Sequence, residues 1–383
     1  MTPNSAQSQT GASVARKIKV MIVEDSAVIR SLLTRWLSAE ADIEVVGTAT
    51  NGREGVQRAG ECTPDVVLLD VEMPVMDGVT ALPGILKAAP GTRIIMASNL
   101  TRRGGEVTIK ALAAGASDYL AKPDANMNGA QDYKRELMFK VRMLGGRRLR
   151  DVSPSQSPTP TTTTTMMPSY SRQAAISSAS HKLRVVSTKT RPTAIFIGSS
   201  TGGPEALKTL IAALAGRVDV PVFITQHMPP LFTKILAEHL SKQSRATVVE
   251  AEHDIEAKAG VFYIAPGNKH MVVVPHSSGL RIHLNEDAQE NFCRPAVDPL
   301  FRSAAAALGD RALAIILTGM GHDGREGARQ LAARGASIIA QDEETSVVWG
   351  MPGAIVRAGL ASTSKPLNEI APAILSVLRG VAP

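Results

Sequence analysis

The sequence predicts two α/β domains, each built on a largely parallel β-sheet, with an irregular segment between them. The chain has 383 residues, enough for about two or three domains of roughly 100–200 residues each. In both halves, continuous aliphatic runs alternate with helical patterns, which is typical of strands that helices cover on both faces. The middle of the chain is instead rich in Ser, Thr and Pro and has no apolar periodicity.

The overall composition excludes several classes of protein. Hydrophobic residues make up 44% of the chain and charged residues 20%, so sizeable cores are possible and wholesale disorder is excluded. No apolar run approaches the roughly 18 residues that a membrane span needs, and the first residues lack the apolar stretch of a secretory signal. The two cysteines, Cys62 and Cys293, are too few and too far apart for a disulfide framework, which favours a cytoplasmic location.

The formal net charge of +7 is concentrated in the middle of the chain. Residues 1–145 carry 17 basic and 16 acidic side chains, and residues 191–383 carry 18 of each. Residues 146–190 carry 7 basic residues and 1 acidic residue, so this segment contributes most of the excess. Neither flank has the basic excess of a DNA-binding domain, and we therefore expect no nucleic-acid partner. The basic segment is interpreted as a solvated spacer, with contact to an acidic partner as the alternative.

Composition and periodicity together divide the chain into four segments. Residues 1–17 are small and polar and are predicted to form a disordered arm. The first α/β domain is predicted over 18–142, and the second over 191–380. Between them, residues 143–190 are predicted to be a flexible linker, because their polar side chains cannot bury enough surface to offset the entropy of ordering.

The first domain is predicted to contain five strands. Their sequences are IKVMIVED, EVVGTAT, DVVLLD, RIIMASN and DYLAKP, with helical segments between them. In parallel sheets ligands bind beyond the carboxyl ends of the strands, and polar side chains stand at four of these ends. They are Glu24 and Asp25 after the first strand, Asp70 after the third, Ser98 after the fourth and Lys122 after the fifth.

This set of side chains suits a phosphorylated aspartate. Glu24, Asp25 and Asp70 would repel one another unless a hard divalent cation such as Mg²⁺ neutralised them. Ser98 offers a hydroxyl group and Lys122 a positive charge to phosphoryl oxygens. Each carboxylate alone is compatible with an ordinary acidic turn, but five such residues in order favour a phosphoryl site.

The second domain is predicted to repeat the α/β pattern, with antiparallel pieces inserted. The first strand, TAIFIGSSTGG, runs into a Gly-rich turn, and the helix PEALKTLIAAL follows with its leucines on one face. PVFITQHM is a second strand before the helix LFTKILAEHL, and GVFYIAP and KHMVVVPH form a hairpin or meander. A helix at PLFRSAAAAL precedes the strands ALAIILTGMGHDG and ASIIAQDEE.

The turn G-S-S-T-G-G after the first of these strands is a candidate site for an anion or a nucleophile. Its glycines allow tight geometry, and the following helix directs free N–H groups and a positive dipole at the turn. The turn lacks the Lys and the spacing of nucleotide-binding loops, so nucleotide binding is weakly supported. On chemistry alone, Ser199 and Ser200 are both candidate nucleophiles.

A nucleophilic serine needs a base and a carboxylate, and two further strand ends supply them. His227 ends the second strand of this domain, and Asp323 follows the strand ALAIILTGMG. Ser200, His227 and Asp323 are therefore predicted to meet at one edge of the sheet. The remaining histidines of this domain are interpreted as surface residues; they are His239, His253, His270, His276, His283 and His322.

The first domain resembles the receiver domain of response regulators. The resemblance rests on VEDS at 23–26, LLDVEMPVMDG at 68–78, MAS at 96–98 and AKP at 121–123. It implies a flavodoxin-like (βα)5 fold that takes a phosphoryl group from a histidine kinase of the chemotaxis type. The implied phosphoacceptor is Asp70, the implied Mg²⁺ ligands are Glu24, Asp25, Asp70 and the backbone of Glu72, and the implied switch residues are Ser98, Tyr119 and Lys122.

The second domain resembles the CheB methylesterase family. The matching stretches are GSSTGGPEAL at 198–207, QHMP at 226–229, FCRPAVDPLFRSAA at 292–305, LTGMGHDG at 317–324 and AQDEETSVVWGMP at 340–352. The resemblance implies a doubly wound, largely parallel α/β domain that needs no cofactor for hydrolysis.

The same resemblance assigns the roles in the second domain. It makes Ser200 the nucleophile, His227 the general base and acid, and Asp323 the carboxylate that orients His227. The backbone N–H of Met320 would contribute to the oxyanion hole, and Thr201 would support the site. Ser199 and Trp349 differ from residues common in the family, but neither departure removes a catalytic group.

Together the two resemblances imply a phosphorylation-activated serine hydrolase for adaptation in chemotaxis. It would demethylate glutamate γ-methyl esters on methyl-accepting chemoreceptors and deamidate certain glutamines to glutamate. We expect a monomer that is peripheral to membrane receptor arrays, with the unphosphorylated receiver covering the catalytic face. The alternatives are a response regulator that acts on DNA, which the neutral second domain disfavours, and an inactive domain that only binds its target.

Overall fold

A computed structural model describes residues 16–99, 101–122, 130–151, 183–184, 190–277 and 279–381 of the chain. Nearly all of the predicted arm and most of the predicted linker lie outside these residues. The described elements form two parallel β-sheets with flanking helices and one small antiparallel sheet. The predicted α/β fold class is confirmed.

The first parallel sheet has five strands. Its elements are β1 (Ile18–Val23), α1 (Ala27–Ser38), β2 (Ile43–Ala49), α2 (Gly52–Cys62), β3 (Val66–Asp70), α3 (Gly78–Ala88), β4 (Arg93–Ser98), α4 (Arg102–Ala113), β5 (Asp118–Ala121) and α5 (Ala130–Asp151). The strand order is β2-β1-β3-β4-β5, which is the flavodoxin-like order. Every residue of β3 is buried, which explains its aliphatic sequence without alternation.

Four helices of this domain are preceded by an N-cap residue whose side chain accepts a hydrogen bond from the first turn. Ser26, Asn51, Asp77 and Thr101 each accept a hydrogen bond from the backbone N–H three residues further on. Such side chains satisfy donors that the first turn of a helix leaves free. The caps therefore set where α1, α2, α3 and α4 start, and three of these helices, α1, α3 and α4, follow strand ends that carry the candidate phosphoryl site.

Helix α5 extends past the predicted domain boundary at residue 142 and ends at Asp151. The helix continues because Val141 and Leu144 are buried on its inner face. Arg142 also anchors it, with its guanidinium 2.6 Å from Glu40 and 2.8 Å from Asp42. Residues 143–151, the first nine of the predicted linker, thus belong to this helix.

The second parallel sheet has seven strands, and a three-stranded antiparallel sheet lies in the same half of the sequence. The elements are β6 (Ala194–Ser199), α6 (Gly203–Leu214), β7 (Val222–Gln226), α7 (Phe232–Ser244), β8 (Thr247–Glu250), β9 (Ile255–Glu256), β10 (Val261–Ile264), β11 (His270–His276), β12 (Gly279–Asn285), α8 (Val297–Leu308), β13 (Ala312–Ile316), α9 (Arg325–Ala333), β14 (Ser337–Gln341), α10 (Met351–Arg357), β15 (Thr363–Lys365) and α11 (Leu367–Leu378). The parallel order is β15-β14-β13-β6-β7-β10-β8, and the antiparallel order is β11-β12-β9.

The strand order of the second sheet reverses at β6. The chain continues from β6 to β7 on one side and later adds β13 on the other side, and both pairs are parallel. In doubly wound sheets the crevice at such a reversal is where ligands bind. The carboxyl ends of β6, β7 and β13 are therefore the expected position of a site.

Aromatic residues are few but lie at the centre of the second sheet. Phe196 and Phe223 stack with ring centroids 5.2 Å apart, and Phe223 and Tyr263 stack at 5.8 Å. All three rings are buried in the main apolar cluster of this sheet.

None of the helices in the described part of the chain is long and apolar enough to cross a membrane.

The contacts divide the chain into two compact units. One contains the described residues within 1–93 and 134–153, and the other those within 94–133 and 154–383. This division differs from the predicted boundary in the linker, because β4, α4 and β5 belong to the second unit. Packing explains the difference: α4 packs against α6 and α7.

Candidate active site and candidate phosphoacceptor site

Ser200 directly follows β6, in the turn that leads to α6. Its backbone N–H donates to the Thr318 carbonyl oxygen at 3.1 Å, and its own carbonyl oxygen accepts from Gly203 N at 2.7 Å. The Gln226 side chain donates to the same carbonyl oxygen at 3.0 Å. Gly202 has a φ of +76°, which favours glycine, and a Cβ there would lie 2.6 Å from a Val347 methyl group. The backbone around Ser200 is therefore held by three separate segments.

The structure separates the two candidate serines. Ser199 has an exposed fraction of 0%, and its hydroxyl donates to Gln226 Oε1 at 2.7 Å. Ser200 is only partly buried. Of the pair, Ser200 is therefore the serine that a substrate can reach.

His227 follows β7, and its ring contacts two side chains. Nε2 lies 2.7 Å from Asp323 Oδ2, and Nδ1 lies 3.5 Å from the Cys293 sulfur. Within the described residues, no side-chain hydrogen bond joins Ser200 to His227. Because the carboxylate occupies Nε2, Nδ1 is the nitrogen that remains available as a base.

Asp323 lies after β13, in a pocket of hydrogen-bond donors. Its carboxylate accepts from the backbone N–H of Val297 at 2.6 Å and of Asp298 at 3.1 Å, both in the first turn of α8. It also accepts from Gly324 N at 2.8 Å and from Asn291 Nδ2 at 3.0 Å. The residue that precedes α8 is an alanine and caps nothing, so Asp323 supplies the cap from a distant part of the chain.

The charges of this pair support one another. Burial alone would raise the pKa of the Asp323 carboxyl group, but the bonds from His227 and the α8 amides lower it below its usual value. Burial also opposes the charged form of His227, but the Cys293 sulfur and Asp323 together raise its pKa well above the usual value. The site thus favours an imidazolium paired with a carboxylate.

Two backbone N–H groups near Ser200 are candidates to bind an oxyanion. The loop after β13 is fixed because Gly319 N donates to Val348 O at 3.0 Å and Gly350 N donates to Gly319 O at 3.0 Å. Within the described residues, the backbone N–H groups of Met320 and Thr201 donate no hydrogen bond. Thr201 is the neighbour of Ser200, and Met320 lies two residues after Thr318, whose carbonyl oxygen accepts from Ser200 N, so these two N–H groups are the candidates for an oxyanion hole.

The side chain of Thr201 contacts an element of the first sheet that belongs to the second unit. Its hydroxyl donates a hydrogen bond of 2.5 Å to Oδ2 of Asp118, the first residue of β5, and both residues are buried. The next residue, Tyr119, stacks on Phe232 with ring centroids 5.4 Å apart. Tyr119, the predicted switch residue, and Thr201, the predicted support residue, therefore lie at the same interface. In this interface β5 and α4 face α6 and α7.

Three of the predicted metal ligands come together in the first unit. Carboxylate oxygens of Glu24, Asp25 and Asp70 lie within 4.8 Å of one another. Glu24 and Asp70 are buried and Asp25 is exposed, so the cluster has one open side. Oxygen ligands of this charge fit a hard cation such as Mg²⁺.

The remaining predicted phosphoryl contacts lie at the ends of β4 and β5. Ser98 is buried, and its hydroxyl donates to the Gly104 carbonyl oxygen at 3.2 Å. The backbone N–H of Lys122 donates to the Ser98 carbonyl oxygen at 2.8 Å. Both residues thus follow adjacent, paired strands, as predicted from the sequence.

Two histidines predicted to be surface residues are not exposed, and several neighbours of the site were missed. His239 is half-buried in α7, and its Nε2 is buried. His270 is buried, because its Nδ1 accepts from Ala296 N at 3.2 Å and its Nε2 contacts the Ala288 carbonyl oxygen at 3.0 Å. His253, His276, His283 and His322 are exposed, as predicted. The residues missed are Cys293, Asn291, Asp298 and Asp118. Cys293 and Asp298 stand in the stretch FCRPAVDPLFRSAA, which was the available signal.

Comparisons with known proteins match both halves of the chain. The model of the CheB methylesterase family matches residues 195–374, and that of the response regulator receiver domain matches residues 20–130. Among solved structures, the CheB methylesterase catalytic domain of Thermotoga maritima is 39% identical, with a TM-score of 0.48; the match covers 49% of this chain and 100% of that chain.

Curated relatives are similar over nearly the whole chain. The protein-glutamate methylesterase/protein-glutamine glutaminase of Maricaulis maris is 45% identical, over 99% of this chain and 100% of that protein. The protein-glutamate methylesterase/protein-glutamine glutaminase 2 of Caulobacter vibrioides is 47% identical, over 95% and 100%. Since relatives of this similarity span nearly its whole length, the chain belongs to the CheB methylesterase family of enzymes, with a response regulator receiver domain ahead of its catalytic domain.

Proposed function

We propose that this chain is a phosphorylation-activated protein-glutamate methylesterase that also deamidates glutamine side chains. The observation that carries the proposal is the arrangement at the carboxyl ends of β6, β7 and β13. There Asp323 bonds to His227, and Ser200 is accessible. Its curated relatives are named for both activities. The substrates we propose are methyl-accepting chemoreceptors, and the outcome is adaptation in chemotaxis.

Ester hydrolysis would proceed in two halves. Ser200 Oγ attacks the ester carbonyl while Nδ1 of His227 takes its proton, and Asp323 stabilises the imidazolium that forms. The backbone N–H groups of Met320 and Thr201 bind the oxyanion. The ester C–O bond then breaks, the proton on Nδ1 passes to the methoxy oxygen, and methanol leaves an acyl-enzyme.

Water resolves the acyl-enzyme by the reverse transfers. Nδ1 accepts a proton from water, the hydroxide attacks the acyl carbon, and the proton returns to Ser200 Oγ as the free glutamate carboxyl group leaves. A glutamine side chain passes through a similar tetrahedral intermediate and releases ammonia instead of methanol. No cofactor is required for either reaction in this proposal.

Phosphorylation would control access to this site through the receiver. Asp70 is the proposed phosphoacceptor, and Glu24, Asp25 and Asp70 with the backbone of Glu72 are the proposed ligands of Mg²⁺. When bound, Mg²⁺ would neutralise charge on the incoming phosphoryl oxygens. Ser98 and Lys122 would contact the phosphoryl group, and Tyr119 would respond to it.

The contact of Thr201 with Asp118 supports an inhibitory role of the unphosphorylated receiver. Thr201 is the neighbour of Ser200, and its hydroxyl is engaged by a residue of β5. Helix α4 packs against α6, which starts at the serine turn. A large substrate such as a receptor helix would therefore be blocked until these elements separate.

The proposed partners follow from the same mechanism. A histidine kinase of the chemotaxis type would phosphorylate Asp70, and the enzyme would act in the cytoplasm as a monomer, peripheral to membrane receptor arrays. Both cysteines are free thiols, which is compatible with a reducing compartment. No nucleic-acid partner is proposed, because the charge of the catalytic domain is balanced.

The test is methanol release from methylated receptor by the full-length protein, with and without a small phosphodonor. We expect release that the phosphodonor increases. Ser200→Ala should abolish it, whereas the matched control Ser199→Ala should retain most activity, since Ser199 is buried away from substrate. A serine-directed covalent probe should label the wild type but not Ser200→Ala. Receptor binding without methanol release or labelling would instead indicate the inactive binding domain.

A further inference from the structure

A second buried carboxylate, Asp298, lies beside the triad. It is the second residue of α8, and its exposed fraction is 4%. A buried carboxylate is costly unless hydrogen bonds compensate for the lost water. Asp298 has no place in the hydrolytic mechanism described above, so its burial needs another explanation.

The hydrogen bonds of Asp298 connect it to α9 and to Asp323. Its Oδ1 accepts from Gly327 N, in the first turn of α9, at 2.7 Å, and its backbone N–H donates to Asp323 Oδ1 at 3.1 Å. At Gly327 a Cβ would lie 2.9 Å from the Asp298 carbonyl oxygen and 2.5 Å from Phe301 Cβ, so only glycine allows this approach. Asp298 thus caps α9 while Asp323 caps α8.

Asn291 links the two carboxylates directly. Its Nδ2 donates to Asp298 Oδ2 at 3.1 Å and to Asp323 Oδ1 at 3.0 Å. An amide nitrogen carries two hydrogens, so both are used and the spacing of the two carboxylates is set. Asn291 and the Asp298 N–H thus hold Oδ1 of Asp323, and Oδ2 is directed at His227.

We propose that Asp298 is a positioning residue of the hydrolytic site. Asp298 holds the Asp323 carboxylate through the Asn291 side chain and through the backbone N–H of Asp298, and Asp323 in turn holds the ring of His227. The inference rests on the proposed function of Ser200, His227 and Asp323. Asp298 itself touches neither substrate nor Ser200 in this role.

The charge of Asp298 gives this role a measurable consequence. Burial and the charge of Asp323 raise the pKa of Asp298 to about 6, so it is ionised at neutral pH. Its negative charge then adds to that of Asp323 and favours protonated His227. Neutralising Asp298 should therefore lower the pKa of His227. The other charged or titratable groups on the surrounding elements are the Arg302–Glu290 pair, His270, Cys293, Arg325, Glu326 and Arg329.

The test compares Asp298→Asn with Asp310→Asn in the full-length protein. Asp310 lies in the exposed turn that follows the other end of α8, where its carboxylate accepts from Thr190. For Asp298→Asn we expect kcat to fall at least about tenfold with KM little changed, because a misplaced base weakens only the transition state. The acid limb of kcat/KM should also shift to lower pH. The control should change neither quantity.

Proton NMR of the His227 ring provides a readout that does not depend on activity. In the wild type, the N–H that bonds to Asp323 should resonate far downfield, and Asp298→Asn should move or broaden it. This signal still decides the inference if the wild type releases no methanol, an outcome that would instead reject the proposed function.

A second variant separates positioning from helix capping. Asn291→Gly removes the bridge but retains both caps, and glycine tolerates the φ of +52° at this position. It should reproduce the shifts in kcat and in the ring resonance even if Asp298→Asn fails to fold. If both variants only lower the melting temperature, with the acid limb and the resonance unchanged, Asp298 is a structural cap and the inference is wrong.

Discussion

At the scale of single residues, the orientation of the His227 ring determines which nitrogen would transfer protons in the proposed mechanism. In chymotrypsin-type proteases the aspartate binds Nδ1 and Nε2 faces the serine. Here Asp323 binds Nε2, and Nδ1 is directed at Cys293. The proposed roles of the three residues do not depend on this difference, because a triad depends on the relation of its groups and not on which ring nitrogen is used.

Asp323→Asn should reduce methanol release by several orders of magnitude. The amide neither stabilises the imidazolium nor accepts all the bonds that the carboxylate accepts, and the comparable change in a serine protease costs about 10⁴-fold in kcat. His322→Ala is the matched control, since His322 is the exposed neighbour in the same loop. Near-normal rates for Asp323→Asn, with loss for His322→Ala, would remove Asp323 from the triad.

The pH profile of kcat/KM should report the raised pKa of His227. The base must be neutral, so activity should fall as pH decreases through a pKa well above the ordinary value for histidine. Cys293→Ala removes one cause of the raised pKa and should shift this acid limb to lower pH. Cys62→Ala, whose thiol bonds to Val46 in the receiver, is the control. An identical limb in all three proteins would show that Cys293 does not influence the base.

At the scale of secondary-structure elements, the proposed triad depends on a reciprocal capping of helices. Helix α8 is capped by Asp323, which precedes α9, and α9 is capped by Asp298, which lies in α8. Free N–H groups of a helix and its dipole favour a carboxylate at this end. The same contacts that start two helices therefore hold the Asp323 carboxylate of the proposed triad.

The contact between β5 and α6 should restrain the unphosphorylated enzyme. Asp118→Ala removes the acceptor of the Thr201 hydroxyl, and a hydrogen bond to a charged group contributes about 1.5–3 kcal/mol. We expect faster methanol release in the absence of phosphodonor. Glu106→Gln, an exposed change on α4, is the control and should leave the rate unchanged. A rate for Asp118→Ala equal to that of the wild type would show that this bond does not restrain the enzyme.

The five strands of the first sheet and most parallel strands of the second could be predicted from sequence, because buried parallel strands have continuous aliphatic sequences. Strands β8, β9, β12 and β15 and helices α9, α10 and α11 were not predicted. The predicted hairpin of GVFYIAP with KHMVVVPH is wrong, because β10 pairs in parallel with β7 and β8, and β11 pairs with β12. The positions of Ser200, His227 and Asp323 after three such strands were predictable, and their joint catalytic role stays a prediction. Asn291 and Asp118 were not predictable, because one lies in an irregular loop and the other contacts a partner distant in sequence. The extension of α5 past residue 142 was missed because the sequence after Leu144 is glycine-containing and basic, without an apolar pattern.

At the scale of the whole molecule, charge and packing divide the chain differently. Formal charge is balanced in both flanks and positive in the middle. Contacts instead group β4, α4 and β5 with the catalytic sheet. Helix α4, which follows the predicted phosphoryl contact Ser98, packs against α6 and α7 beside the serine turn, so a change in the receiver would act there.

Domains on one chain meet at a high effective concentration, so even a weak interface between receiver elements and catalytic domain would block receptor substrates. Phosphorylation of Asp70 adds negative charge and would shift the receiver away from this state. A chain truncated to begin at Arg191 should therefore hydrolyse methylated receptor faster than the unphosphorylated full-length protein.

Asp70→Asn should lose the response to phosphodonor and keep basal activity. The measurement is methanol release by all three proteins on one receptor preparation. Equal rates for truncated and full-length proteins, without a phosphodonor effect, would exclude an inhibitory receiver.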